Sequence, residues 1–222
     1  MKTNLLKMFL VLGCTLMISF VIFHQASLQK RVDDQTVKLL RKARMVNSFT
    51  KVDRLHTANI QKALSVLSRF NKDMPEDQKY QIASEISITS MKYENLDVDL
   101  ICATITHETA FTWDPEVISP AGALGMMQIM PSTGKFLAEI EGVKWTSAKD
   151  ILFDPILNIR LGSRYLSSLI ELYDVEGGLA AYNGGGKKAR MWLAQNKKKG
   201  ILYRETQRYI PAVLSLYDQF RN

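Results

Sequence analysis

The amino-acid sequence predicts a mainly α-helical protein, and three observations support this prediction. Stretches in which polar and apolar residues alternate, as they do in half-buried strands, are nearly absent. Residues 28–70 contain neither Pro nor Gly, and their apolar residues recur at roughly helical intervals: Val32, Leu39, Val46, Leu55, Ile60, Leu64 and Leu67. Residues 73–77 are typical of a helix start, because Pro75 fits a first turn and the acidic residues complement the positive end of the helix dipole.

The chain has 222 residues, which is enough for one domain with a hydrophobic core and an additional segment. We expect three parts: an N-terminal membrane anchor over residues 1–25, a helical stalk over 26–75, and a helical domain over 76–222. The first predicted helix starts within residues 73–77, with Pro75 in its first turn, and runs to about residue 93; the others cover residues 98–107, 131–141, 155–173, 176–182, 187–196 and 203–220.

The predicted anchor is an apolar run at the N-terminus. No charged residue occurs from Met8 to Phe23, and Lys2 and Lys7 precede the run. A helix of this length reaches about 24 Å, slightly less than the roughly 30 Å hydrocarbon core of a bilayer. We favour an uncleaved anchor. A cleaved signal peptide stays open, although the required small residues are poorly placed before Ala26, and a lipoprotein signal would need a better site before Cys14.

The stalk predicted for residues 26–75 consists of one or two helices. Its apolar spacing starts close to a heptad repeat and then drifts, so a sustained coiled coil is not expected. Basic residues of the stalk outnumber Lys2 and Lys7, and this bias alone would place the large domain in the cytoplasm.

Several site classes are disfavoured by the sequence. Cys14 lies in the predicted anchor and Cys102 in an apolar helix, so we expect no disulfide and interpret Cys102 as a core residue. His107-Glu108 begins like a zinc-protease helix, but Phe111 stands where the second His is required, and we expect no metal and no cofactor.

The net charge of +7 fits a solvated surface or attraction to an anionic polymer. Nucleic acid is not expected, because no aromatic residues interleave the basic ones.

Four short motifs occur in one order in the C-terminal half: His-Glu-Thr-Ala-Phe at 107–111, Gly-Ala-Leu-Gly-Met-Met-Gln-Ile-Met-Pro at 122–131, Ala-Tyr-Asn-Gly-Gly at 181–185 and Glu-Thr-Gln-Arg-Tyr-Ile at 205–210. Together they resemble the soluble-type (SLT) lytic transglycosylases, which cleave the glycan strands of bacterial peptidoglycan. The resemblance covers roughly residues 78–217 and implies a lysozyme-like helical fold.

Glu108 is the candidate catalytic residue. The helical repeat places it on the same face as Ile101, Thr104 and Ile105, and its flanks are poor in charge. Desolvation at such a place can raise a carboxyl pKa from about 4.3 to about 6–7, and we expect this shift for Glu108. The resemblance implies that Glu108 acts alone, first as acid and then as base. The substrate's own acetamido group and C6 hydroxyl complete the reaction, which closes a 1,6-anhydro ring.

Ordinary glycosidases use a second carboxylate, for which Asp114, Glu116 and Glu205 are the nearest candidates. We interpret Asp114, which precedes Pro115, as a turn former and Glu116 as a surface residue.

The resemblance also implies the substrate-binding residues. Ser119, Gln128 and Met130 would line the sugar cleft, and Tyr182 and Asn183 would hydrogen-bond the acetamido group and the flanking sugar. Glu205 and Tyr209, four residues apart on one helical face, would help to close the cleft floor. A structural role remains open for each motif, and for Glu205 in particular.

The expected function is cleavage of the bond between N-acetylmuramic acid and N-acetylglucosamine. Since that substrate lies outside the cytoplasm, we expect a single-pass protein of the bacterial inner membrane with its catalytic domain in the periplasm or cell-wall space. Long translocated domains can override loop charge. Two alternatives stay open: a hydrolytic muramidase, and a non-catalytic peptidoglycan-binding component of an envelope-spanning secretion or conjugation apparatus. Such machinery is also a candidate partner.

Overall fold

The computed structural model describes the backbone of residues 2–222 and the side chains of residues 17, 24, 25, 28–31 and 34–222. This described part forms eight α-helices and no named strand, so the predicted mainly α-helical class is confirmed. The helices are α1 Lys2–Phe70, α2 Glu76–Lys92, α3 Val98–Glu108, α4 Pro131–Ile140, α5 Ala148–Leu152, α6 Pro155–Gly184, α7 Gly186–Ala194 and α8 Arg204–Arg221.

The chain divides into two compact units, Met1–Arg54 and Leu55–Asn222, and the boundary falls within α1. In the first unit, described apolar side chains such as Leu39 and Phe49 are exposed. The second unit begins at Leu55 rather than at the residue 76 predicted from the sequence. The physical reason is that Ile60, Ala63 and Leu67, near the end of α1, are buried in the core of that unit.

No helix among the described residues combines the length and the apolar character needed to cross a membrane. The predicted anchor over residues 1–25, which contains Cys14, lies almost wholly outside the described side chains, so it stays a prediction.

Helix α3 is buried within the second unit. Its side chains from Leu100 to Ile105 are almost completely buried, and it packs against α2 and α8. The expectation that Cys102 is a core residue is confirmed, since its side chain has no exposed surface and burial raises the pKa of the thiol.

The structure refines three helix predictions. Asp174 has a left-handed φ of 63° and kinks α6 between the two helices predicted for residues 155–173 and 176–182. The short helix α5 was not predicted; the Ser147 hydroxyl caps it by accepting from the amide of Asp150. Pro75 occupies the N-cap position of α2 rather than its first turn.

Candidate active site

Glu108 is the last residue of α3, and its carboxyl group meets a hydroxyl from α8. Its Oε1 accepts a hydrogen bond from Tyr209 Oη at 2.7 Å. The Tyr209 side chain is only 2% exposed, and the ring of His107 packs edge-on against it at 4.8 Å between centroids. Two elements far apart in the sequence therefore hold this carboxyl group in one orientation.

Burial raises the pKa of the Glu108 carboxyl from its ordinary 4.5 to about 7. The Tyr209 hydrogen bond opposes this change because it stabilises the ionised form, while the negative charge of Glu205 adds to it. The predicted upward shift is confirmed. A carboxyl group with such a pKa can act either as an acid or as a base near neutral pH.

The chain after Glu108 turns sharply, and two threonines stabilise the turn. Thr109 Oγ1 donates to Ile105 O at 2.8 Å and accepts from the amide of Trp113 at 3.0 Å. Thr106 Oγ1 accepts from the indole Nε1 of the fully buried Trp113 at 2.9 Å. Ala110, Phe111 and Trp113 all have positive φ, so this strained loop depends on those hydrogen bonds.

Sequence reasoning missed the roles of Thr106 and Trp113. The available signal was that a tryptophan, Trp113, closely follows Glu108 in the sequence. The reason for this spacing is visible only in the structure, where the Trp113 indole donates to Thr106.

The second motif forms a loop that Asn158 of α6 holds in place. Asn158 is fully buried; its Oδ1 accepts from the Met127 amide at 2.7 Å, and its Nδ2 donates to Leu124 O at 2.9 Å and to Leu152 O at 2.8 Å. Gly125 has a φ of +78°, and a Cβ there would lie 2.1 Å from Leu152 O. Asn158 was not among the predicted site residues.

Ser119 and Gln128 stabilise the same loop. Ser119 Oγ accepts from the Ala123 amide at 2.9 Å. Gln128, at a left-handed φ of 47°, donates from Nε2 to Val117 O at 3.0 Å and to Gly125 O at 2.8 Å. Met130 precedes α4 and is 42% exposed. The polar groups of this motif thus shape the loop, and Met130 offers an apolar surface to solvent.

The third motif lies at the C-terminal end of α6. Tyr182 Oη donates to Met127 O at 2.7 Å, which ties α6 to the second motif. Burial, followed by the negative charge of Glu108, raises the pKa of Tyr182 well above its ordinary 10. Asn183 Oδ1 accepts from Thr206 Oγ1 at 2.7 Å, so this motif also contacts the fourth.

The candidate residues differ in how they interact with Glu108. Glu108 and Tyr209 are in direct contact, and Tyr182 interacts with Glu108 through charge. Glu205 is exposed and acts on Glu108 electrostatically. Asp114 and Glu116 are also exposed, and Asp114 Oδ1 accepts from the Glu116 amide at 2.9 Å, which fits the expected turn former.

Among the described residues, no group of His, Cys, Asp and Glu side chains could hold a metal ion.

Comparison with known proteins identifies the family. Residues 85–204, more than half of the chain, match the model of the transglycosylase SLT domain. The chain belongs to this family. It is similar to the soluble lytic murein transglycosylase of Escherichia coli K12, at 33% identity over 118 residues, 49% of this chain and 18% of that protein. It is also similar to membrane-bound lytic murein transglycosylase D of that strain, at 31% identity over 157 residues, 66% of this chain and 32% of that protein.

Solved structures of SLT-domain proteins have the same fold. The 70 kDa soluble lytic transglycosylase of E. coli matches 78% of this chain and 30% of its own, with 25% identity and a TM-score of 0.54. Its complex with bulgecin A matches with a TM-score of 0.55 at 24% identity. The lysozyme-like helical fold predicted from the motifs is supported. This SLT-domain chain spans less than a third of the length of these relatives.

Proposed function

We propose that this chain is a peptidoglycan lytic transglycosylase that cleaves the bond between N-acetylmuramic acid and N-acetylglucosamine without water and leaves 1,6-anhydro ends. The observation that carries the proposal is the Glu108 carboxyl group, with a pKa of about 7 and a tyrosine hydroxyl at 2.7 Å. A carboxyl group with that pKa can donate and then accept a proton at neutral pH. The relatives named above as lytic murein transglycosylases support the same chemistry.

In the proposed reaction, protonated Glu108 gives its proton to the bridging oxygen as the bond from that oxygen to the anomeric carbon breaks. The substrate's 2-acetamido group stabilises the positive charge at that carbon. Ionised Glu108 then takes the proton of the C6 hydroxyl, and O6 bonds to the anomeric carbon. This step restores the acid. The attached hydroxyl competes well with water, because effective molarities of well-oriented groups reach roughly 10⁵ M or more.

A single carboxylate suffices for this reaction. The nearby candidates for a second one, Asp114 and Glu116, are exposed, and Asp114 is used in a turn. Glu205 is exposed as well, and its role in the proposal is to raise the pKa of Glu108 through its negative charge.

Each proposed substrate-binding residue has a separate role in the proposal. Met130 provides an apolar sugar contact, and Tyr182 and Asn183 bind the acetamido group and flanking sugar. Ser119 and Gln128 shape the cleft wall through the loop contacts described above, and Glu205 and Tyr209 form its floor. Before substrate binds, the Tyr182 hydroxyl and Asn183 Oδ1 already form hydrogen bonds within the protein, which orient both side chains.

We propose further that residues 1–25 anchor the chain in the inner membrane and residues 26–75 act as a stalk. The domain over 76–222, extended by the end of α1, then lies in the periplasm or cell-wall space. One of the similar proteins is described as membrane-bound.

Product analysis tests the proposal. Purified peptidoglycan is treated with the wild-type protein and with Glu108→Gln, and the released fragments are examined by mass spectrometry. We expect anhydro-muramyl ends from the wild type and at least a 100-fold lower rate from the variant, on the order of the contribution of general acid–base catalysis. Reducing ends would identify a hydrolytic muramidase instead. No cleavage by the wild type would favour a non-catalytic binding component.

A further inference from the structure

The loop of residues 109–113, which follows the proposed acid, contacts the end of α1. Its aromatic residue Phe111 packs on Phe70, the last residue of α1, with 5.9 Å between the ring centroids and 58° between the ring planes. Asn71, the next residue of the chain, donates from Nδ2 to Trp113 O at 3.4 Å. The end of α1 therefore meets this loop at two points.

Phe70 and Asn71 are themselves held in place. The Phe70 ring packs edge-on against Phe220 of α8 at 6.3 Å between centroids, and the guanidinium carbon of Arg69 lies 5.5 Å from the centroid of the Phe70 ring. Asn71 Oδ1 accepts from the Met74 amide at 3.0 Å. Because both residues are fixed by other contacts, they can restrain the loop rather than follow its movements.

The position of Phe111 in turn fixes the last turn of α3. The Phe111 amide donates to Thr106 O at 2.8 Å, and α3 ends two residues after Thr106, at Glu108. Phe111 has a φ of 67°, a conformation that a residue other than glycine keeps only where its surroundings enforce it. Since Phe111 is 51% exposed, burial alone does not enforce it, and the Phe70 ring supplies a specific contact.

We infer that the end of α1 positions the proposed catalytic acid. The Phe70 ring and the Asn71 amide hold the loop, the loop holds the last turn of α3, and that turn orients the Glu108 carboxyl group. This inference rests on the proposed function. Phe70 and Asn71 are positioning residues that act through the loop, and their contribution to the rate is large because misplacing a catalytic group by about 1 Å can cost roughly 100-fold.

The test is Phe70→Leu, which keeps an apolar side chain and removes the ring. We expect kcat on soluble glycan strands to fall on the order of tenfold, with KM nearly unchanged, because the proposed sugar contacts lie in other motifs. Phe70→Tyr keeps the ring and should restore most of kcat. Asn71→Asp can still accept from the Met74 amide but no longer donates to Trp113 O, so it should also lower kcat.

A double-mutant cycle tests the route of this effect. If Phe70 acts through Phe111, the kcat of Phe70→Leu/Phe111→Leu equals that of Phe111→Leu alone. Losses that simply multiply in the double variant would overturn the inference, because they would mean that the two rings act independently.

The pH profile provides a readout that a loss of stability alone would not move. Burial raises the pKa of Glu108 to about 7. A looser last turn of α3 exposes the carboxyl group to water, so the alkaline limb of kcat/KM in Phe70→Leu should shift to lower pH. A limb that stays in place would overturn the inference. The titratable groups around Glu108 are unchanged in this variant: His107, Tyr182, Glu205 and Tyr209.

The matched control is Ile60→Val, which removes one methyl group from a buried side chain of the same helix, ten residues before Phe70. This variant should lose unfolding free energy in urea titrations but keep the wild-type kcat and alkaline limb. An equal fall of kcat in the control would show that kcat follows stability, and would overturn the inference. If the wild type cleaves the strands and Phe70→Leu keeps its kcat, only this inference fails. If the wild type releases no fragments, the proposed function fails.

Discussion

The pKa of Glu108 results from opposing contributions. Burial and, to a smaller extent, the negative charge of Glu205 favour the neutral acid, whereas the Tyr209 hydroxyl stabilises the carboxylate. Burial is the larger effect, and the pKa reaches about 7. A residue that must be acid and base in one catalytic cycle gains from such a balance, because neither protonation state is then costly near neutral pH.

Replacing Tyr209 by Phe should shift the alkaline limb of the pH profile of kcat/KM to higher pH. In the proposed reaction the first step needs protonated Glu108, so we expect the rate of the wild type to fall as the pH rises through about 7. Tyr209→Phe removes the hydrogen bond that stabilises the carboxylate, and the pKa of Glu108 rises further, by about one unit for a bond to a charged group. The pH profile of kcat/KM measures this shift.

The control for this experiment is Tyr217→Phe. Tyr217 also lies on α8, but its hydroxyl donates to Asp97 Oδ2 at 2.7 Å and does not contact Glu108. The alkaline limb of the pH profile of Tyr217→Phe should coincide with that of the wild type. A shift of this limb to lower pH in Tyr209→Phe would show that the tyrosine does not stabilise the carboxylate.

Glu108→Gln should stabilise the fold at high pH. The folded-state pKa of about 7 lies above the ordinary 4.5, so the folded protein binds more protons than the unfolded chain between these values. Stability therefore falls as the pH rises through this window, by up to roughly 3 kcal/mol. The neutral amide avoids this loss and can still accept from Tyr209.

Urea unfolding at pH 4 and at pH 8 measures the effect. The two proteins should have similar unfolding free energies at pH 4, and the variant should be more stable at pH 8. A difference that does not change with pH would contradict the explanation by desolvation.

Much of this site could be predicted at the residue scale because each motif is local in sequence. The helical repeat placed Glu108 at the end of a buried helix, and its charge-poor flanks indicated a raised pKa. The partner hydroxyl of Tyr209 lies 101 residues away. Its contact with Glu108 depends on how α8 packs on α3, which no local pattern encodes.

At the scale of elements, the loop of the second motif depends on α6 as well as on its own hydrogen bonds. Asn158 forms three hydrogen bonds to backbone groups of Leu124, Met127 and Leu152. A buried amide of this kind fixes a loop without regular secondary structure, because it satisfies groups that would otherwise be unpaired. The sequence could not predict this, since a single Asn in a helix carries no signal of its partners.

The two glycines of the second motif provide a matched comparison. Gly125 and Gly122 both have positive φ, at +78° and +87°. A Cβ on Gly125 would lie within 2.2 Å of both Leu152 O and Asn158 Nδ2, whereas a Cβ on Gly122 would meet nothing within 4 Å. We expect Gly122→Ala to cost about 1 kcal/mol of stability from backbone strain alone. Gly125→Ala should cost at least about 3 kcal/mol, because it also displaces the Asn158 hydrogen bonds.

Thermal or urea unfolding of the two variants tests this expectation. Gly125→Ala should also lose more activity, since the displaced loop carries Gln128 and leads to Met130. Equal losses of stability would mean that the loop can move away from α6 without cost.

At the scale of the whole molecule, the second unit includes a part of α1 that the sequence assigned to the stalk. The repeat over residues 28–70 predicted a helix correctly, but an amphipathic pattern does not say which partner covers its apolar face. In the structure, the final turns of α1 pack into the core of the second unit. Lys62 Nζ also pairs with Asp99 Oδ2 of α3 at 2.7 Å, and His56 Nδ1 lies 2.7 Å from Ser87 Oγ of α2.

Two fragments test where the second unit begins. A fragment of residues 55–222 keeps Ile60, Val66 and Leu67, whereas a fragment of residues 76–222 loses them. Each of these buried side chains contributes about 1.5–3 kcal/mol, and their sum of roughly 6 kcal/mol is comparable to the whole stability of many domains. We expect residues 55–222 to unfold cooperatively and to keep activity on soluble glycan strands. Residues 76–222 should be unfolded, or should lack the sharp transition, in urea titrations followed by circular dichroism. If both fragments unfold at the same urea concentration, the end of α1 is not part of the folded unit and the boundary lies at residue 76.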